Sequence, residues 1–126
     1  MRLRAYPRYK ASGIEWLGDL PSSWGVSRLK YCVGRIYAGG TPESGNDAYW
    51  ADDMDESTPW VAIGDMTRSS CVVTTDRQVT DAGLASKRLE ILPAGTLLYS
   101  MYASLGKVAV LGIPAAVNQA ILVLLR

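Results

Sequence analysis

The chain has 126 residues, 48% hydrophobic and 20% charged, which fits one globular domain with a modest core and excludes a disordered segment. A net charge of +1 does not mark a polyanion binder, and the lack of histidine removes the commonest general acid–base group and transition-metal ligand. Seven tyrosines and four tryptophans with no phenylalanine suit half-buried positions and contact surfaces.

Residues 1–23 read as an extended arm. Pro7, Pro21, Gly13 and Gly18 interrupt it, Ser12–Gly18 forms one short turn, and Tyr6, Tyr9, Ile14, Trp16 and Leu17 serve as apolar anchors. The anchors lie either on the chain's own domain or on a partner. No continuous apolar stretch follows Arg2, Arg4, Arg8 and Lys10, so no secretory signal is read. Charge is uneven. Residues 1–35 carry seven bases against two acids, and residues 43–56 carry six acids and no base. The basic arm meets that acidic loop or a polyanion, or the two are simply solvated segments.

Trp24–Leu29 alternates apolar and polar, the period of a half-buried strand. Leu29–Ile36 places Leu29, Cys32, Val33 and Ile36 on one helical face over two turns. Gly39-Gly40-Thr41-Pro42 breaks the backbone. Glu43–Ser57 reads as a long acidic surface loop around Tyr49 and Trp50. Strands follow at Pro59–Ile63 and Ser70–Thr75, with Gly64–Thr67 as a turn between them, and Thr80 caps a short helix over Asp81–Ser86.

The stretch Pro93–Gln119 organises the rest. A Pro-Ala-Gly turn launches the apolar run Thr96–Met101. A Ser/Gly loop at Ser104–Gly106 exposes Lys107, a second apolar run spans Val108–Leu111, and Asn118-Gln119 follows the Gly112-Ile113-Pro114 turn. Ala120–Leu125 reads as a fully buried strand, which needs neighbours on both sides. Either the earlier strands supply them or a C-terminal part of the domain lies beyond Arg126. Val108–Leu125 is uncharged and nearly long enough to span a bilayer, but Gly112, Pro114, Asn118 and Gln119 in its middle argue against a membrane. The sum is a β-rich α+β domain of about six short strands and one or two short helices.

Little catalytic chemistry is available. Serine–histidine and cysteine–histidine systems need histidine. Gly106-Lys107 fails the phosphate-loop pattern, because Met101 stands at its first glycine and Val108 at its Ser/Thr. Cys32 and Cys71 are isolated, form no zinc or redox pattern, and read as small buried hydrophobes rather than a disulfide, which is compatible with a reducing cytoplasm. The acids Asp52, Asp53, Asp55 and Glu56 lack calcium-loop spacing and read as a solvated loop. Binding remains. Lys107 suits a DNA phosphate, and Asn118 and Gln119 carry the amides that suit adenine edges, or else they satisfy turn backbone.

Several blocks resemble one family. Residues 6–24, YPRYKASGIEWLGDLPSSW, look like the N-terminus of specificity (S) subunits of type I restriction-modification systems. The likeness continues through Gly39–Pro42, Tyr49-Trp50, Pro59-Trp60-Val61 with Gly64-Asp65-Met66, Ala82-Gly83-Leu84 and Leu92–Thr96. It closes with Ser100–Lys107 and Asn118-Gln119-Ala120. The resemblance implies a non-catalytic DNA-binding chain in a prokaryotic cytoplasm that directs a methyltransferase (M) subunit and a restriction (R) subunit. S-adenosylmethionine and ATP with Mg would belong to those partners, and the chain itself would bind no cofactor and no metal. It implies an N-terminal arm at 1–23. Residues 24–126 would be the first portion of a target recognition domain, an incomplete double β-helix or β-roll. The family's base-contacting residues vary with target, so the resemblance itself assigns none; the residues expected to face DNA in this chain are Gly40, Thr41, Tyr49, Trp50, Ser104, Lys107, Asn118 and Gln119. Tyr9, Trp16 and Trp24 are expected to dock a partner.

Overall fold

Side-chain alternation and a few close backbone contacts decide the architecture. The computed structural model describes residues 3–52, 57–101 and 106–125. These fall into two compact units, Met1–Cys32 and Val33–Arg126.

In the first unit, β1 (Tyr9–Ala11) and β2 (Asp19–Pro21) pair antiparallel with Lys10 opposite Leu20. The expected Ser12–Gly18 turn joins them. Its ends, Gly13 and Gly18, sit at φ +78° and +67°, a region that costs glycine little. Ser12 N–H donates to the Gly18 carbonyl at 3.0 Å. The strand expected at Trp24–Leu29 does not form. Trp24 N–H donates instead to the Pro21 carbonyl at 2.9 Å, and both Trp24 and Val26 are about half exposed, so the alternation has no buried face to serve.

Leu29–Ile36, which runs across the boundary between the units in the sequence, is not the expected helix. Only Leu29–Tyr31 makes a single 3-10 turn, and β3 (Arg35–Ala38) follows. Gly34 weakens a helix here, and its N–H finds the Leu125 carbonyl at 2.8 Å, so tertiary pairing prevails over helical spacing. The Glu43–Ser57 loop contains a 3-10 turn at Asp47–Tyr49 and β4 (Trp50–Ala51). The acids Asp53, Asp55 and Glu56 lie outside the described residues.

β5 (Thr58–Val61) leads into α1 (Ile63–Arg68), where the sequence suggested a turn. Asp65 is the reason. Its carboxylate, nearly inaccessible, accepts the Ala62 N–H at 2.8 Å and the Asp76 N–H at 3.1 Å and pairs with Arg68. Asp76, more than Asp65, holds the Arg68 guanidinium above its ordinary range.

β6 covers only Cys71–Val72, and the chain turns into β7 (Arg77–Val79), a strand not anticipated. Thr75 Oγ donates to the Arg77 carbonyl at 2.8 Å and Gln78 Nε2 to the Thr75 carbonyl at 3.2 Å, which ends the first strand early. α2 (Asp81–Ser86) forms as expected, with Gly83 N–H donating to the Thr80 hydroxyl at 3.1 Å. β8 (Leu97–Ser100), β9 (Val108–Leu111), β10 (Ala116–Val117) and β11 (Ile121–Leu125) complete the set.

Two sheets organise this unit. One runs β3-β11-β8-β9-β6 and the other β10-β5-β7-β4. β11 is antiparallel to both β3 and β8, so earlier strands give it neighbours on both sides. Alternation then selects the core. Leu98 faces Val123 on one side and Ala109 on the other, and all three are buried. Val61, Met66, Leu111, Val117 and Ile121 join them in one cluster drawn from both sheets and α1. The result is β-rich with two short helices, in open sheets. Among the described residues no helix is long and apolar enough to cross a membrane, and Val108–Leu125 divides among β9, β10 and β11. Cys32 and Cys71, expected to be buried, are both exposed and unbridged, because the segments carrying them lie at the surface.

The glycines at the end of β3 join the sheets. A Cβ on Gly39 would lie 2.0 Å from the Val117 carbonyl oxygen. Gly39→Ala should therefore lower unfolding free energy by about 1–3 kcal/mol. Gly45→Ala, with nothing within 4 Å, should shift it by less than about 0.5 kcal/mol in urea melts. Equal melts for the two variants would contradict this packing.

Candidate nucleic-acid interface

The candidate surface is built outward from the Gly39–Gly40 crossing. Gly40 N–H donates to the Val117 carbonyl at 3.0 Å. The Gly40 carbonyl accepts the Trp60 indole N–H at 3.0 Å. One residue on, the Thr41 hydroxyl donates to Gln119 Oε1. The glycines thus bring Thr41 beside the loop that carries Asn118 and Gln119. Asn118 N–H donates to the Val61 carbonyl at 3.0 Å, and its side-chain oxygen accepts the Ala120 N–H at 2.9 Å. That local bond fixes the turn into β11. Asn118 therefore spends its amide oxygen on backbone, while Gln119 is exposed.

Trp60 extends the cluster. Its ring meets Trp50 edge-to-face at 5.0 Å between centroids. Trp50 is itself tied by its indole N–H to the Glu43 carbonyl at 3.0 Å. The Arg77 guanidinium lies 3.5 Å from the Trp50 ring centroid and 5.9 Å from that of Trp60. Arg77 was not singled out from sequence. Its position in an R-Q-V strand gives a period-two signal, but only the register opposite Trp60 places it on the tryptophans. Tyr49 supports α2 through backbone. Its carbonyl accepts the Thr80 N–H at 3.0 Å, and a Cβ on Gly83 would approach that oxygen to 2.5 Å.

Lys107 is exposed at the start of β9, and its N–H donates to Ser100 Oγ at 3.0 Å. Met101 N–H donates to the Ala120 carbonyl at 2.8 Å, which links this hairpin to the Asn118–Ala120 turn. Ser104 lies outside the described residues. The structure thus gathers Gly40, Thr41, Trp50, Asn118 and Gln119 around Trp60, with Lys107 on the neighbouring hairpin.

The docking candidates belong to the first unit. Tyr6 packs edge-on against Trp24 at 5.5 Å and Tyr9 at 6.5 Å. Trp16 stands apart with 84% of its surface exposed.

No protein-family model matches the chain. Curated proteins do match it, among them two specificity subunits. The MjaIX type I restriction enzyme specificity subunit of Methanocaldococcus jannaschii is 29% identical over 105 residues, 82% of this chain and 23% of that protein. The HindI specificity subunit of Haemophilus influenzae is 26% identical over 102 residues, 81% of this chain and 21% of that protein. The chain is a homologue of type I restriction enzyme specificity subunits. It spans about a quarter of the length of the first relative and about a fifth of the second. The sequence blocks that resembled this family now have physical roles. Gly39, Gly40 and Gly83 sit at close approaches, Trp60 bonds to the Gly40 carbonyl, and Asn118 fixes a turn.

Trp60→Phe removes the bond to Gly40 and shrinks a ring that is 95% buried. It should cost about 1–3 kcal/mol of stability, whereas exposed Trp16→Phe should cost under about 0.5. A Trp60→Phe melt matching the unaltered chain would contradict the assigned tie.

Proposed function

We propose that the chain is a DNA-binding specificity module of a type I restriction-modification complex, directing methyltransferase and restriction subunits to one half of a split site. The observation that carries this reading is the homology to specificity subunits over 105 residues. Residues 1–23 serve as an arm. Residues 24–126 form the N-terminal portion of a target recognition domain of β-roll or double-β-helix type. The chain is not a catalyst. S-adenosylmethionine and ATP with Mg are bound by its partners, in a prokaryotic cytoplasm.

On this reading, each group has a defined task. Lys107, exposed on a hairpin, contacts phosphate and positions the duplex. Thr41 holds the plane of the Gln119 amide, leaving its N–H₂ to a base edge. Gly40 and Asn118 fix the loop beneath it. Tyr49 and Trp50 form the adjoining wall.

A second reading is favoured by the exposure of Trp16. The chain docks on a methyltransferase subunit through Tyr9, Trp16 and Trp24 and does not read DNA. One experiment separates the two. Duplex binding should fall by about 10- to 40-fold between 50 and 200 mM salt, as two or three phosphate contacts require. Binding that ignores salt, or is absent with methyltransferase subunit supplied, contradicts the DNA reading. Replacing both Trp16 and Trp24 with alanine should weaken partner binding and leave any DNA binding intact.

A further inference from the structure

We propose that Arg77 is a specificity-determining residue that reads a guanine edge in the DNA half-site, a role that rests on the DNA-binding reading above. The guanidinium lies against the Trp50 ring at 3.5 Å, with Trp60 at 5.9 Å. Stacking occupies the face of a planar guanidinium and leaves the N–H donors in its plane. Among the described residues no carboxylate lies within ion-pair distance of Arg77 and its side chain makes no hydrogen bond, unlike Arg35, paired with Glu90, and Arg68, paired with Asp65 and Asp76. Both indoles are themselves held, Trp50 by the Glu43 carbonyl and Trp60 by the Gly40 carbonyl, each at 3.0 Å. The ledge under Arg77 is therefore fixed before any ligand arrives.

A fixed fork of two donors matches an acceptor pair in one plane. Guanine offers that pair as O6 and N7 in the major groove. A backbone phosphate also accepts two donors, but it needs only a nearby positive charge, which a mobile side chain such as exposed Lys107 supplies. Holding Arg77 half-buried on two rings fixes direction as well as charge, and direction is what discrimination between bases requires. The strand register supports the assignment. Arg77 faces Trp60 across the β5–β7 pair, and Trp60 is bonded to Gly40, next to Thr41 and Gln119. A guanine-reading arginine and an amide suited to adenine thus share one framework.

The test is enrichment from a randomised duplex pool by the 126-residue chain with methyltransferase subunit present. The expected motif contains a fixed guanine, whose replacement weakens binding by about 10-fold or more. Arg77→Lys keeps the charge but not the fork. It should bind unselected duplex within about threefold of the unaltered chain and enrich a motif lacking that guanine. Arg77→Gln should lose the same guanine, and Trp50→Phe, which keeps a ring under the guanidinium, should retain it. A guanine preference kept by Arg77→Lys or Arg77→Gln overturns the proposal. So does a uniform loss of affinity with the motif intact, which marks a phosphate contact. No enrichment by the unaltered chain overturns the DNA reading and this inference together; a motif that survives in the variants overturns the inference alone.

Discussion

Two backbones meet where β3 ends, and most of the second unit depends on that meeting. Gly39 lies so close to the Val117 carbonyl that no side chain fits between them. The contact ties the strand leaving the five-stranded sheet to β10 of the four-stranded one. Gly40 then bonds in both directions, to Val117 through its N–H and to Trp60 through its carbonyl. From these two residues, a line of contacts runs one way to Thr41 and Gln119 and the other way to Trp50 and Arg77. The constraint is steric before it is chemical, and it explains why glycine, not merely a small residue, stands at 39.

The same geometry separates framework from the candidate contact surface. Trp60 is buried, and Asn118 gives its amide oxygen to a turn. Neither has much left for a ligand. Gln119, Arg77 and Lys107 differ, because among the described residues nothing occupies their side-chain donors. Such a division suits a scaffold that holds a few exposed side chains in register.

Much of this was legible in sequence, for local reasons. Apolar runs bounded by turn residues announced β8, β9 and β11, and a threonine before Asp81 announced α2 through its cap. What failed was decided at a distance. Leu29–Ile36 has helical spacing, but Gly34 and the free edge of β11 draw Arg35–Ala38 into a sheet. Gly64–Thr67 looked like a turn until Asp65 reached back to the Ala62 amide and Asp76 bonded to it from outside the helix. Trp24–Leu29 alternates correctly yet has no buried face. The site shows the same division. Its glycines and amides were visible as motifs. Arg77 was not, because its importance arises only from register opposite Trp60.

The central claim is that duplex DNA lies on the surface nucleated by the Gly39–Gly40 crossing. It is tested most directly by following backbone amide, tryptophan indole and arginine side-chain N–H resonances while duplex is added to the isotope-labelled chain. The account predicts that shifts concentrate at Gly40, Thr41, Gln119 and Lys107, the Trp50 indole and the Arg77 guanidinium. Shifts confined to Tyr6, Tyr9, Trp16 and Trp24, with the Gly40–Arg77 cluster unmoved, would contradict it.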